Sequence, residues 1–188
     1  MVKCVEYLVS HKVMHRDLKP DNIIVNDKNE VFLIDFGFAT LLDKGDPAVL
    51  SERFGTPFYM SPEMMGRKLY NSKSDIWSLG VIYYQMVFGT LPFYGTSDTE
   101  LYKDITEHKG DIFKKNDNMP KQIKSIIKKC LTIDINKRMG WEELFSECKV
   151  LHTVKEGGGN TSRSRGYSRR SQEIYAEDTV VCCGCCFC

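Results

Sequence analysis

The run His15-Arg16-Asp17-Leu18-Lys19-Pro20-Asp21-Asn22 gathers a carboxylate, an ammonium and an amide, and Asp35-Phe36-Gly37 adds a second carboxylate after two short apolar runs. Phosphoryl transfer asks a protein for little covalent chemistry. It asks for an oriented hydroxyl, neutralised phosphate oxygens and held metal ions. These side chains supply groups of that kind, so transfer of a phosphoryl group is the chemistry this stretch points to.

Several elements must position those groups. Met1–Ser10, with Val2, Val5 and Leu8 apolar, reads as a helix leading into the polar run. Ile23–Val25 and Val31–Ile34 are apolar runs split by Asn26-Asp27-Lys28-Asn29, a hairpin signal. Between Asp35 and Glu63 lies a loop in which Asp43, Lys44, Gly45, Asp46 and Pro47 break any periodicity. Ser74–Met86 reads as a mostly apolar helix with a Ser/Asp start, and a helix apolar around most of its girth belongs in a core. Helical spacing returns over 98–108, 120–131 and 141–151. The expected fold is α+β, mainly α-helical, with a short β-hairpin at the active site. No internal repeat is present.

The order H-R-D-L-x-x-x-N, D-F-G, A-P-E is the signature set of protein kinases. Here it reads His15-Arg16-Asp17-Leu18 to Asn22, then Asp35-Phe36-Gly37, then Ser61-Pro62-Glu63, with Ser replacing Ala in the last block. From Met1 to about Leu151 the chain resembles the C-terminal lobe of a eukaryotic Ser/Thr protein kinase. The resemblance implies roles residue by residue. Asp17 would be the base that accepts the substrate hydroxyl proton, and Lys19 the cation on the γ-phosphate of ATP. Asn22 and Asp35 would be Mg²⁺ ligands, hard oxygen donors of the kind that ion shares with phosphates and water. Ile24 would floor the adenine. Thr56 would hydrogen-bond the catalytic Asp and Lys. His15 and Phe36 would be lower members of an apolar regulatory stack, Asp75 the anchor of the catalytic-loop backbone, and Glu63 the partner of Arg138. The last five are structural roles.

Phe54–Glu63 resembles the segment that meets the substrate, and Leu18-Lys19-Pro20 points to Ser/Thr acceptors on protein substrates. Many relatives carry a phosphorylatable Thr where this chain has Glu52, beside Ser51. A phosphate would bring about −1.5 to −2 charge and order the loop against Arg. Glu52 therefore reads as a partial substitute that pairs with Arg16, or else as a solvated loop carboxylate; Ser51 is a rival phosphosite. Gln85 stands where some basophilic relatives carry Glu. With Asp35–Ala39 and Tyr59–Glu63 it resembles the autophagy-initiating and calmodulin-kinase-like group.

No G-x-G-x-x-G and no V-A-I-K strand occurs in the 188 residues, and Gly157-Gly158-Gly159 has the wrong spacing. The expectation is a truncated kinase domain lacking the N-terminal β lobe, weak or inactive alone. Its upper half would be missing or supplied by a partner kinase or an N-lobe from elsewhere. The competing expectation is a non-catalytic, pseudokinase-like binding or scaffold module.

Lys and Arg total 26 against 25 Asp and Glu. That near-balance gives no electrostatic case for nucleic acid. Without a signal peptide or long apolar span, cytoplasmic residence is the expectation. Three domains are read: 1–151 as the lobe, 152–181 as a disordered Gly/Ser/Arg-rich linker, and 182–188 as a Cys-rich terminus. Cys4, Cys130 and Cys148 read as buried small hydrophobes. Cys182, Cys183, Cys185, Cys186 and Cys188 admit three readings. One is lipidation with membrane contact, helped by the Arg-rich stretch before them. A second is thiolate metal binding, for which the spacing lacks paired knuckles. The third is a terminus without selected function.

Overall fold

The computed structural model describes residues 1–42, 50–108, 110–113 and 119–156. Within them α1 (Val2–Ser10) leads to β1 (Val13–Met14), β2 (Ile23–Val25), β3 (Val31–Leu33) and β4 (Thr40–Leu41). The helices α2 (Pro62–Met65), α3 (Lys73–Phe88), α4 (Asp98–Glu107), α5 (Lys121–Cys130) and α6 (Trp141–Glu156) follow. The fold is thus helices with two small antiparallel sheets, each two-stranded.

The core is built around α3. Every residue from Ser74 to Ile82 is buried. One side of the helix, with Trp77 and Val81, packs on Met60, Met64, Phe93 and Leu101. The other side, with Ile76, Leu79 and Ile82, packs on Cys4, Leu18, Leu33 and Leu144. The helix is apolar all round because it is covered all round. Gly80 permits the approach of α5: a Cβ there would lie 2.6 Å from the Cβ of Cys130. The helix ends on Gly89 in the left-handed region (φ 70), whose N–H reaches the carbonyl of Gln85 at 2.8 Å.

The expected hairpin is present, with Ile23 opposite Leu33, Ile24 opposite Phe32 and Val25 opposite Val31. Its turn is closed by Asn26, whose side-chain oxygen accepts from the N–H groups of Lys28 (3.0 Å) and Glu30 (2.9 Å). The strand stops at Leu33, and Ile34 instead donates to the carbonyl of Asn22 at 2.9 Å. A second pair, Val13 with Leu41 and Met14 with Thr40, was not anticipated. Two-residue strands carry no periodicity to read.

The N-terminus of α4 is capped by Ser97, which accepts from the N–H of Glu100 at 3.2 Å, while the Glu100 carboxylate accepts from the N–H of Thr96 at 2.9 Å. The last helix continues past Leu151 to Glu156, into the stretch read as linker. Cys4 and Cys130 are fully buried and Cys148 is half-buried. Burial, with Glu147 adding, pushes the Cys148 thiol up to about 11. The loop breakers 43–47, the remainder of the linker and the five terminal cysteines lie outside the described residues. Among the described residues no helix is long and apolar enough to cross a membrane.

Candidate active site

The loop that carries Asp17 is fastened to the core helix by a buried carboxylate. Asp75, in the first turn of α3, accepts from the backbone N–H of His15 at 2.7 Å and of Arg16 at 3.0 Å. Two successive N–H groups converge on one carboxylate because Arg16 adopts φ 67, a conformation costly for a residue with a Cβ. Burial pushes the Asp75 carboxyl up, against the opposing pull of His15 and these N–H donors.

Asp17 sits two residues beyond His15 and is 5% exposed. Its two oxygens have separate partners. Oδ1 accepts from the backbone N–H of Thr56 at 2.8 Å and from the Thr56 hydroxyl at 2.9 Å. Oδ2 accepts from Lys19 Nζ at 2.8 Å and from Asn22 Nδ2 at 3.3 Å. Lys19 Nζ also donates to Thr56 Oγ1 at 2.9 Å. Burial alone would raise the Asp17 carboxyl, but the bonds from Lys19 and Thr56 outweigh it and hold the group below its ordinary value. Lys19 is pushed up by its bond to Asp17, with Asp21 and Asp35 adding attraction. The group is therefore an ionised carboxylate beside a firmly charged ammonium.

Asn22 is 4% exposed, and its amide also donates to the Asp17 carbonyl at 2.9 Å. Both its N–H groups are thus committed, and its side-chain oxygen is the atom left for a cation. Asp35 is exposed and in the left-handed region at φ 61, with Oδ1 accepting from the Gly37 N–H at 3.2 Å. An amide oxygen and a carboxylate on adjoining loops are hard donors suited to Mg²⁺ shared with phosphates. Among the described residues no three His, Cys, Asp or Glu side chains gather into a protein cage for a metal. The donor set fits an ion held jointly with a nucleotide.

His15 is fully buried, its Nε2 lies 3.3 Å from the Ile34 carbonyl, and its ring stands 5.0 Å from that of Phe36. Ile24 turns outward from the hairpin and is 48% exposed, as an apolar floor for a flat ligand must be. Thr56 reaches Asp17 through Gly55, where φ is 105 and a Cβ would lie 2.5 Å from the Arg16 carbonyl. Only glycine fits that approach.

Arg16 does meet Glu52, at 3.4 Å, but the Glu52 side chain is 64% exposed and the Arg16 side chain 9%. Two further partners were not anticipated. The Arg16 guanidinium lies 4.4 Å from the centre of the Phe54 ring, and Nε donates to the Phe38 carbonyl at 2.5 Å. No spacing rule marks an aromatic residue as a cation's partner across a loop. Ser51 is exposed.

Glu63 and Arg138 form a bidentate pair at 2.7 and 2.8 Å, with Arg138 fully buried. Ser74 adds a bond to Glu63 at 2.7 Å, and Arg138 also donates to the carbonyls of Thr132 (2.9 Å) and Lys73 (3.0 Å). Burial would raise the Glu63 carboxyl; Arg138 overrides it and the group is lowered. Gln85 is engaged by the Tyr59 hydroxyl, which donates to its Oε1 at 2.8 Å. Arg53 is ion-paired with Asp98 at the start of α4.

Residues 1–148 match the protein kinase domain model. The chain is 36% identical over 156 residues to serine/threonine-protein kinase TIO of Arabidopsis thaliana, covering 83% of this chain and 12% of that protein. It is 36% identical to serine/threonine-protein kinase 36 of Mus musculus, covering 77% and 11% respectively. It is 35% identical to serine/threonine-protein kinase atg1 of Dictyostelium discoideum, covering 75% and 21%. The chain belongs to the protein kinase family and is by family a Ser/Thr kinase, a transferase. It spans roughly a tenth to a fifth of the length of these relatives. Similarity is spread almost evenly over kinases of different names.

Proposed function

We propose that this chain carries the catalytic half of a Ser/Thr protein kinase, which transfers the γ-phosphoryl group of ATP to a Ser or Thr hydroxyl on a protein. The triangle of Asp17, Lys19 and Thr56 is the observation that carries the reading, because it leaves a buried, ionised carboxylate oriented by fixed donors. Asp17 takes the hydroxyl proton as the hydroxyl oxygen bonds to phosphorus and the bond to the leaving ADP oxygen breaks. Lys19 keeps Asp17 ionised and presents positive charge to the phosphoryl oxygens. Asn22 and Asp35 would hold Mg²⁺, which neutralises phosphate charge when bound. Ile24 would lie under the adenine.

Ile24 is 48% exposed, so its outward face is open to a flat ligand. We read residues 1–151 as the lower lobe of the kinase fold, for which fast transfer calls for an N-lobe or partner kinase to cover the nucleotide. The same exposure favours the second reading, a module that docks proteins without turnover. The subgroup reading, autophagy-initiating or calmodulin-kinase-like, rests on Gln85 and the flanking motifs. Cytoplasmic residence, the linker, and a membrane contact through Cys182, Cys183, Cys185, Cys186 and Cys188 remain proposals from sequence.

Single-turnover transfer from ATP with Mg²⁺ to a serine peptide tests the catalytic reading on the full chain. The expected result is slow transfer that Asp17→Asn abolishes, with Mg²⁺-dependent nucleotide binding that Asp35→Ala weakens. Transfer indifferent to Asp17→Asn overturns it. Binding of nucleotide without transfer leaves the docking module.

A further inference from the structure

Two features beside the substrate-facing segment are not explained by its motifs, the cation of Arg53 and the hydrogen-bond donors of Gln85. Arg53 stands three residues before Thr56, whose hydroxyl is bonded to Asp17. Three residues of extended chain span at most roughly 10 Å, so Arg53 lies within a few substrate residues of the reacting hydroxyl. Its side chain is 28% exposed and tied to Asp98, whose side chain is 53% exposed. Exposed pairs of this kind are weak and easily shared. On the other side of Thr56, the Tyr59 hydroxyl occupies Oε1 of Gln85, which leaves the Gln85 N–H donors for an incoming group. Tyr59 feels the charges of both Asp21 and Lys19, so this amide borders the catalytic loop.

The acidic groups nearby are largely spoken for. Glu52 is paired with Arg16 and Asp98 with Arg53. Asp21 and Asp35 are the exposed exceptions; both add attraction to Lys19, and on the kinase reading Asp35 is committed to the metal. The track beside Asp17 thus offers donors and few open acceptors.

We propose that this surface selects protein segments bearing a negatively charged side chain close to the acceptor Ser or Thr, with Arg53 as the main contact and the Gln85 amide as the second. The inference rests on the kinase reading for the position of the acceptor, but not on turnover. A segment binding here displaces Asp98 from Arg53 and takes a charge-assisted hydrogen bond in its place. Arg suits the task because its planar fork grips a carboxylate or phosphate with two bonds.

The test uses fluorescein-labelled serine peptides flanked by glutamate, by lysine or by neutral residues, titrated with the full chain at low salt. The glutamate peptide is expected to bind about tenfold more tightly than the neutral one. The exchanged pair Arg53→Glu with Asp98→Arg keeps an ion pair across the same gap, and is expected to lose that preference. Asp98→Ala removes the competitor and is expected to tighten the glutamate peptide further, which a purely structural Arg53 would not produce. Equal binding of the three peptides, a preference unchanged in the exchanged pair, or weaker binding in Asp98→Ala overturns the inference. Acid-selective binding by a chain that transfers no phosphate supports it and removes only the catalytic reading.

Discussion

Thr56 gives two hydrogen bonds to a single oxygen of Asp17, one from its backbone N–H and one from its hydroxyl, across 39 residues of sequence. The substrate segment is thereby latched to the base itself. The hydroxyl also accepts from Lys19, so one side chain sets the distance between the group that takes a proton and the group that meets the phosphate. Gly55 makes the latch sterically feasible, since any Cβ there would strike the Arg16 carbonyl.

Replacing Thr56 by Val keeps the shape and the backbone bond but removes the hydroxyl. Asp17 then loses one of the bonds that hold its carboxyl low, while its burial remains, so its titration moves upward. Lys19→Met moves it further, because the ammonium is the larger opposing influence. Thr56→Ser leaves it nearly unchanged. Carboxyl carbon shifts of Asp17 followed by NMR into acid read this directly. Transfer by the chain falls roughly tenfold in Thr56→Val, a net loss near 1.4 kcal/mol for the hydroxyl's bonds with Asp17 and Lys19. An Asp17 that titrates identically in all four proteins would remove the latch from the account.

Glu63 and Arg138 are 75 residues apart and nearly sealed from water. Breaking such a pair strands the survivor, and Glu63→Ala is expected to cost ~3–5 kcal/mol. The pH dependence follows from the direction of the Glu63 shift. Its folded value lies below the ordinary 4.5, so its contribution is complete above that pH and is lost as pH falls through the lowered folded value. Urea unfolding from neutral pH into acid should show the wild-type chain losing stability in that range, with a shallower loss in Glu63→Ala. Equal slopes would assign the acid sensitivity to other carboxylates.

The parts legible in the sequence were those with a chemical reason for fixed spacing. Asp17, Lys19 and Asn22 sit on one loop, and the structure gathers them within hydrogen-bonding distance of each other through Asp17. The apolar girth of α3 and the Asn-rich turn between β2 and β3 were equally readable. The pair of Val13 with Leu41 was not, since two residues cannot display alternation. Neither was Phe54 over Arg16, nor Arg53 beside Asp98, because loop-to-loop contacts depend on where the backbone turns. The extension of α6 to Glu156 was missed for another reason. Val154-Lys155-Glu156 has ordinary helix formers in Lys and Glu, and the first strong breaker is the glycine run that follows.

The contact between Arg16 and Glu52 invites the view that a permanent carboxylate does the work of a phosphate, and the geometry limits how much it can do. The pair is 3.4 Å apart and the Glu52 side chain is 64% exposed, so its coupling is expected at about 0.2–1 kcal/mol and to fade with salt. Phe54 covers the other face of the guanidinium at 4.4 Å, where salt screens less and the ring also buries apolar area. A double-mutant cycle of Arg16→Ala with Glu52→Ala, read by urea unfolding, should therefore give a small coupling that falls with added salt. The cycle of Arg16→Ala with Phe54→Ala should give a larger one that survives salt. If the Glu52 cycle proves the stronger, the carboxylate holds the segment; if both vanish, Arg16 is held by the Phe38 carbonyl and Asp75 alone, and the segment's order owes nothing to residues 52–54.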